Sequence, residues 1–102
     1  LAREAGAEAA HSPADIAIVT DRNQRVEEAL VLMQGLRSAG LVVVADLSGR
    51  GRKAKTKWLG RIAHRHSVFL EADGSARLRV EGMETQAVSP EAAAILEALP
   101  AD

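Results

Sequence analysis

Apolar and polar residues change their spacing several times along this chain, and each change marks an element. Ile16, Ile18 and Val19 form a short β-branched run, which predicts a first strand over residues 15–19. Thr20 to Asn23 offer a turn and candidate helix N-caps. Val26, Ala29, Leu30, Met33 and Leu36 then recur at helical spacing, so a helix is expected over 26–39 with those five side chains on its buried face. Glu27 and Glu28 near its start and Arg37 near its end favour the helix dipole, and Gly40 supplies the stop. Residues 41–45, Leu-Val-Val-Val-Ala, are an unbroken apolar run dense in β-branched residues, the pattern of a central strand buried on both faces, with Val42 and Val44 in the core. A strand, a helix and a second strand in so short a span make a βαβ unit with parallel strands and a right-handed crossover.

Asp46-Leu47-Ser48-Gly49-Arg50-Gly51 ends that run in a tight turn. Residues 52–63 read as a second helix, with Ala54, Trp58, Leu59 and Ile62 toward the sheet and Lys53, Lys57 and Arg61 at i, i+4, i+8 on another face. Gly60 inside it costs roughly 1 kcal/mol relative to alanine, so that end is expected to fray. Residues 67–70 predict a third strand, and Asp73-Gly74 a hairpin turn. Residues 76–80 alternate with period two, as an antiparallel strand with one wet face does, and 82–88 add an edge strand. Ser89-Pro90-Glu91 opens a last helix, serine as N-cap and proline at the first helical position, with Ala93, Leu96 and Leu99 as its apolar face. Residues 1–14, rich in alanine and glutamate, read as a leader or linker, which leaves one domain over 15–102. The order β-α-β-α-β-β-β-α predicts an α/β fold: a mixed, about five-stranded sheet with helices on its faces.

Charge changes this picture more than composition does. The 102 residues carry a formal charge of only −1, which argues against a general polyanion binder. Yet seven of the thirteen basic residues, all three lysines among them, fall between Arg50 and Arg65, and no acid occurs from Leu47 to Leu70. The other six face fourteen acidic residues. The basic interval begins at a strand–turn–helix junction, where ligands of open α/β sheets gather and helix N-termini favour phosphate. Arg50, Arg52 and Lys53 stand where both effects add. A solvated charged face is the ordinary reading of such a run, and the length and placing of this one favour phosphate contacts.

Other chemistry is thin. Gly49-Arg50-Gly51-Arg52-Lys53 lacks the spacing of a nucleotide phosphate loop, and no dinucleotide fingerprint follows either candidate strand. His64-Arg65-His66 shares a metal only on an extended backbone, its arginine neighbours oppose a dication, and no local carboxylate completes a site, so polar residues at a helix–strand junction is the better reading. No catalytic constellation, cofactor site or metal site is expected. There is no cysteine, which suits a reducing, cytoplasmic setting, and no apolar run approaches the ~20 residues of a membrane span. Trp58 and Phe69 are the only aromatic residues, which limits base stacking.

The string Asp46-Leu47-Ser48-Gly49-Arg50, followed by Lys53 and Lys57, resembles the C-terminal anticodon-binding domain of class II aminoacyl-tRNA synthetases, the histidine–tRNA ligase branch in particular. The resemblance runs over roughly 15–99, is densest from 41 to 57, and thins in the second half, where Glu84-Thr85-Gln86 keeps part of the family's late hairpin. It implies a three-layer α/β/α domain that binds the anticodon stem–loop of a tRNA, with Arg50, Arg52, Lys53, Lys57 and Arg61 as the RNA contacts. It further implies that catalysis belongs to another domain of a parent ligase, through which a homodimer could form. The alternative is a synthetase-like paralogue domain turned to protein interaction or regulation.

Overall fold

A computed structural model of the chain describes residues 14–100; the leader expected over 1–14 lies, but for Ala14, outside the described residues. The elements are β1 (Ala14–Thr20), α1 (Val26–Ser38), β2 (Val43–Asp46), α2 (Arg52–Arg61), β3 (His64–Leu70), β4 (Ala76–Arg79), β5 (Gln86–Val88) and α3 (Ala92–Ala98). The strands form one mixed five-stranded sheet in the order β2-β1-β3-β4-β5. β1 runs parallel to both β2 and β3, while β4 is antiparallel to β3 and to β5. The expected α/β fold is therefore present. No helix among the described residues is long and apolar enough to cross a membrane.

The centre of the sheet is not where the apolar run placed it. β2 is the edge strand, and Val42 is 60% exposed just outside it. An interior position, between β2 and β3, and burial on both faces belong to β1, whose residues from Ile16 to Thr20 are all fully buried. A run of valines satisfies an edge strand as readily as a central one, because β-branching favours the extended backbone in either place. Neighbours decide which.

One core cluster unites Ile16 and Ile18 of β1, Val68 and Leu70 of β3, Leu78 of β4, the inner face of α1 and Ile95 of α3. On α1 that inner face is Ala29, Leu32, Met33 and Leu36. Leu30, expected inside, is 47% exposed, and Leu32 takes the place assigned to it. α1 and α3 approach so closely at Gly35 that a β-carbon there would stand 2.7 Å from that of Ala92. Gly40, with φ of +96°, ends α1 in the left-handed conformation that glycine adopts without strain. α3 starts later than expected: Glu91, not Ser89, is its N-cap, and Ile95 rather than Ala93 fills the core.

The opposite face of β1 carries Ala17 and Val19, also fully buried. α2 adds no side chain to the cluster formed by α1 and α3. The carboxyl ends of the three parallel strands share one edge of the sheet, with Val19 level with Asp46 on one side and Thr20 level with Leu70 on the other. The turn that leads into α2 departs from this edge.

Candidate nucleic-acid interface

The turn is built by its own polar residues. Asp46 ends β2 almost fully buried, and its carboxylate accepts the Ser48 amide at 3.1 Å and the Ser48 hydroxyl at 2.7 Å. The Arg50 guanidinium folds back to form an ion pair with the same carboxylate. Burial alone would raise the Asp46 carboxyl, but the Ser48 and Arg50 donors outweigh it and hold the group below its ordinary value. An acid so lowered stabilises the fold above its unfolded pKa, and that contribution disappears as pH falls through the folded pKa. Acid unfolding should thus have a component from this turn below about pH 4, and Asp46→Asn should flatten it while costing roughly 1–3 kcal/mol at neutral pH. Equal pH dependence of both proteins in that range, followed by circular dichroism, would remove the assignment.

α2 follows from Gly51 as N-cap, with no side-chain cap, and ends at Arg61, one residue past Gly60, so it is shorter than the 52–63 expected. The apolar stripe predicted to face the sheet is only half-buried at Ala54, Trp58, Leu59 and Ile62. Its one fully buried side chain is Lys55, with 0% exposure. The Lys55 ammonium donates to the Thr20 carbonyl at 2.8 Å, to the Thr20 hydroxyl oxygen at 2.9 Å and to the Arg22 carbonyl. The Thr20 hydroxyl in turn donates to the Arg22 carbonyl at 2.6 Å. Arg22 holds that carbonyl in place through a left-handed backbone, φ 54°. Burial pushes the Lys55 pKa down, against the opposing pull of Asp46 and Asp21. Lys55 is therefore an internal clamp between α2 and the end of β1, not a surface contact.

The five residues marked by sequence divide into two groups. Arg50 is turned onto Asp46. Arg52 is bound to both carboxylate oxygens of Glu71 at 3.1–3.2 Å and lies over the Phe69 ring, 4.1 Å from its centroid. The helix N-terminus is thus partly neutralised. Lys53, Lys57 and Arg61 are exposed and make no ion pair among the described residues. An open groove of about 540 Å³ runs along this flank, lined by Arg50, Ala54, Lys57, Gly60 and Arg61. The cationic surface that results is displaced from the start of the helix to its side.

Glu71 fastens the same sheet edge. Its carboxylate also pairs with Arg77 at 3.4 Å, and its carbonyl accepts the Arg25 guanidinium at 2.6 Å. Arg25 further donates to the Ser75 carbonyl at 2.6 Å and pairs with Glu28 at 2.7 Å, which ties the start of α1 to the β3–β4 turn. Sequence spacing gave no sign of Arg25. For Lys55 a sign existed: it precedes Leu59 and Ile62 by four and seven residues, on their side of the helix.

His64 opens β3 two residues after the C-cap of α2, at the expected helix–strand junction, and His66 lies two residues further along the strand. Nδ1 of His64 lies 2.9 Å from the Ile62 carbonyl, and Nδ1 of His66 accepts the Glu81 amide at 3.1 Å. Among the described residues, no three His, Asp or Glu side chains converge to hold a metal ion. No protein-family model and no curated protein matches the chain.

Proposed function

We propose that this chain is a three-layer domain of the anticodon-binding type, which docks the backbone of a tRNA anticodon stem–loop on the flank of α2. In this reading it serves as an accessory domain to a histidine–tRNA ligase-like catalytic domain in the cytoplasm, and it holds no catalytic residue itself. The observation that carries the reading is the row Lys53, Lys57, Arg61, exposed and without ion pairs among the described residues, beside a groove floored by the small residues Ala54 and Gly60. Small residues let a phosphate chain approach, and the cations neutralise it. Arg50 lines the groove while held by Asp46, and Arg52 is held away from it by Glu71.

Phosphate contacts release counterions, so the logarithm of the binding constant should fall with that of salt at about 0.7–0.9 per contact. Three unpaired cations give an expected slope of about −2 to −3 for an anticodon stem–loop, measured by fluorescence anisotropy. Absence of binding at low salt would end the RNA reading. The alternative, a paralogue domain for protein interaction or regulation, draws on Leu30 and Val31, both exposed on α1, and it would then take over.

A further inference from the structure

β2 closes one side of the sheet, with no strand beyond it. The Ile16 amide donates to the Val42 carbonyl at 3.2 Å, and Ile16 stands level with Val43. In a parallel ladder that register turns the main-chain groups of Val42 and Val44 toward β1 and those of Val43 and Ala45 outward. One outward group is filled from within the chain: the Arg37 guanidinium, in the last turn of α1, donates to the Val43 carbonyl at 2.9 Å. Apolar surface lies on both sides of the same edge. Val42, whose neighbour Val43 points into the α1 core, is 60% exposed on the opposite face. Leu30, 47% exposed, precedes Arg37 by two helical turns on the same flank of α1. We propose that β2 is a pairing edge for a second copy of this chain, held shut by the Arg37 guanidinium.

Outward N–H and C=O groups on an edge select another strand as their partner, and natural edges are protected by charge, proline, a bulge or a cover. Residues 38–45, Ser-Ala-Gly-Leu-Val-Val-Val-Ala, hold no charge and no proline, so nothing in the strand itself turns another strand away. The strand is also its own complement. Laid antiparallel to a copy about a two-fold at Val44, Val43 exchanges both main-chain bonds with Ala45 of the copy, and the two Val44 side chains meet on one face. Asp46, which then faces Val42 of the copy, is already enclosed by Ser48 and Arg50. The one charge seated on the outward groups is Arg37. Closing the seam takes the Val43 carbonyl from it and brings two guanidiniums together, where like charges oppose each other. The cation is thus the gate.

Sedimentation equilibrium of the full chain from micromolar to millimolar concentration, with amide exchange on the same samples, tests this. The wild type should remain at its monomer mass of 10.8 kDa, with the Val43 and Ala45 amides exchanging as exposed groups do. Arg37→Met should approach twice that mass and slow both amides by about tenfold or more. Adding Val42→Lys, a new cation at an exposed position on the same edge, should return the protein to monomer and both amides to fast exchange. Arg37→Gln removes the charge and keeps an N–H donor; it should shift the balance the same way and replaces Arg37→Met if that variant does not fold. A dimeric wild type would show that Arg37 is no gate. A folded Arg37 variant that stays monomeric throughout, or that associates with Val43 and Ala45 still in fast exchange, would overturn the pairing edge. None of these outcomes depends on what α2 binds.

Discussion

Lys55→Met should lower the stability of this domain by about 2–4 kcal/mol, enough to reduce its melting temperature by roughly 10–30 °C. The methionine keeps most of the apolar stem and removes the ammonium, so the loss falls on the acceptors. The Thr20 and Arg22 carbonyls would be left in a site from which water is excluded. Each unpaired buried acceptor costs about 1–3 kcal/mol, and relief from burying a charge offsets part of the sum. The Arg22 carbonyl keeps its bond from the Thr20 hydroxyl, which holds the loss below that for two orphaned groups. Lys55→Arg should fail to restore stability, because a planar five-donor fork does not fit where a compact ammonium is fully enclosed.

The same residue carries a pH signature. Burial lowers the Lys55 pKa from 10.5, so between the folded and ordinary values the unfolded chain binds more protons than the folded one. Stability should therefore rise with pH through that alkaline window, and Lys55→Met should remove the rise. Urea melts across the window measure both effects together. A variant that unfolds at the wild-type midpoint would show that the α2–β1 clamp contributes nothing.

Lys55 also shows where sequence reading stops. Its place on the Leu59–Ile62 side of α2 was legible from spacing, yet it stands inside a run of cations whose ordinary position is solvent. Whether a lysine turns inward depends on a cluster of acceptors, and Thr20 and Arg22 lie more than thirty residues away in the chain. Similar reasoning covers Arg50 and Arg52. Their residue types and spacing were plain, but whether each is paired was not: Asp46 stands only four residues before Arg50 and takes it up within the turn, while Glu71 reaches Arg52 from the end of a strand nineteen residues further on. The order of elements was readable because turn residues and periodicity are local. Strand order was not, so Val42 was assigned to a core that β1 occupies and Leu30 to a face that Leu32 fills.

The flank of α2 separates structure from function most sharply. Lys53, Lys57 and Arg61 repeat at i, i+4, i+8, so each neighbouring pair repels by about 0.2–0.5 kcal/mol, and Lys53 stands near a helix N-terminus that favours acids. A face selected only for solubility gains nothing from that arrangement. The double variant Lys53→Glu/Lys57→Glu places an acid in the first turn and a second carboxylate one turn before Arg61, where the two can pair. Against this stands one new like-charge pair, between the two introduced acids. Its melting temperature should equal or slightly exceed that of the parent, since surface changes of this kind stay within about 0.5 kcal/mol. Binding of an anticodon stem–loop should move the other way, with affinity down roughly a hundredfold near 0.1 M salt and a salt slope shallower by about 1.5–2. Stability kept and affinity lost, in one variant, assign the cations to a ligand rather than to the fold. Unchanged affinity and slope would make this flank a solvated face and move attention to the exposed side of α1, where Leu30 and Val31 await a protein partner.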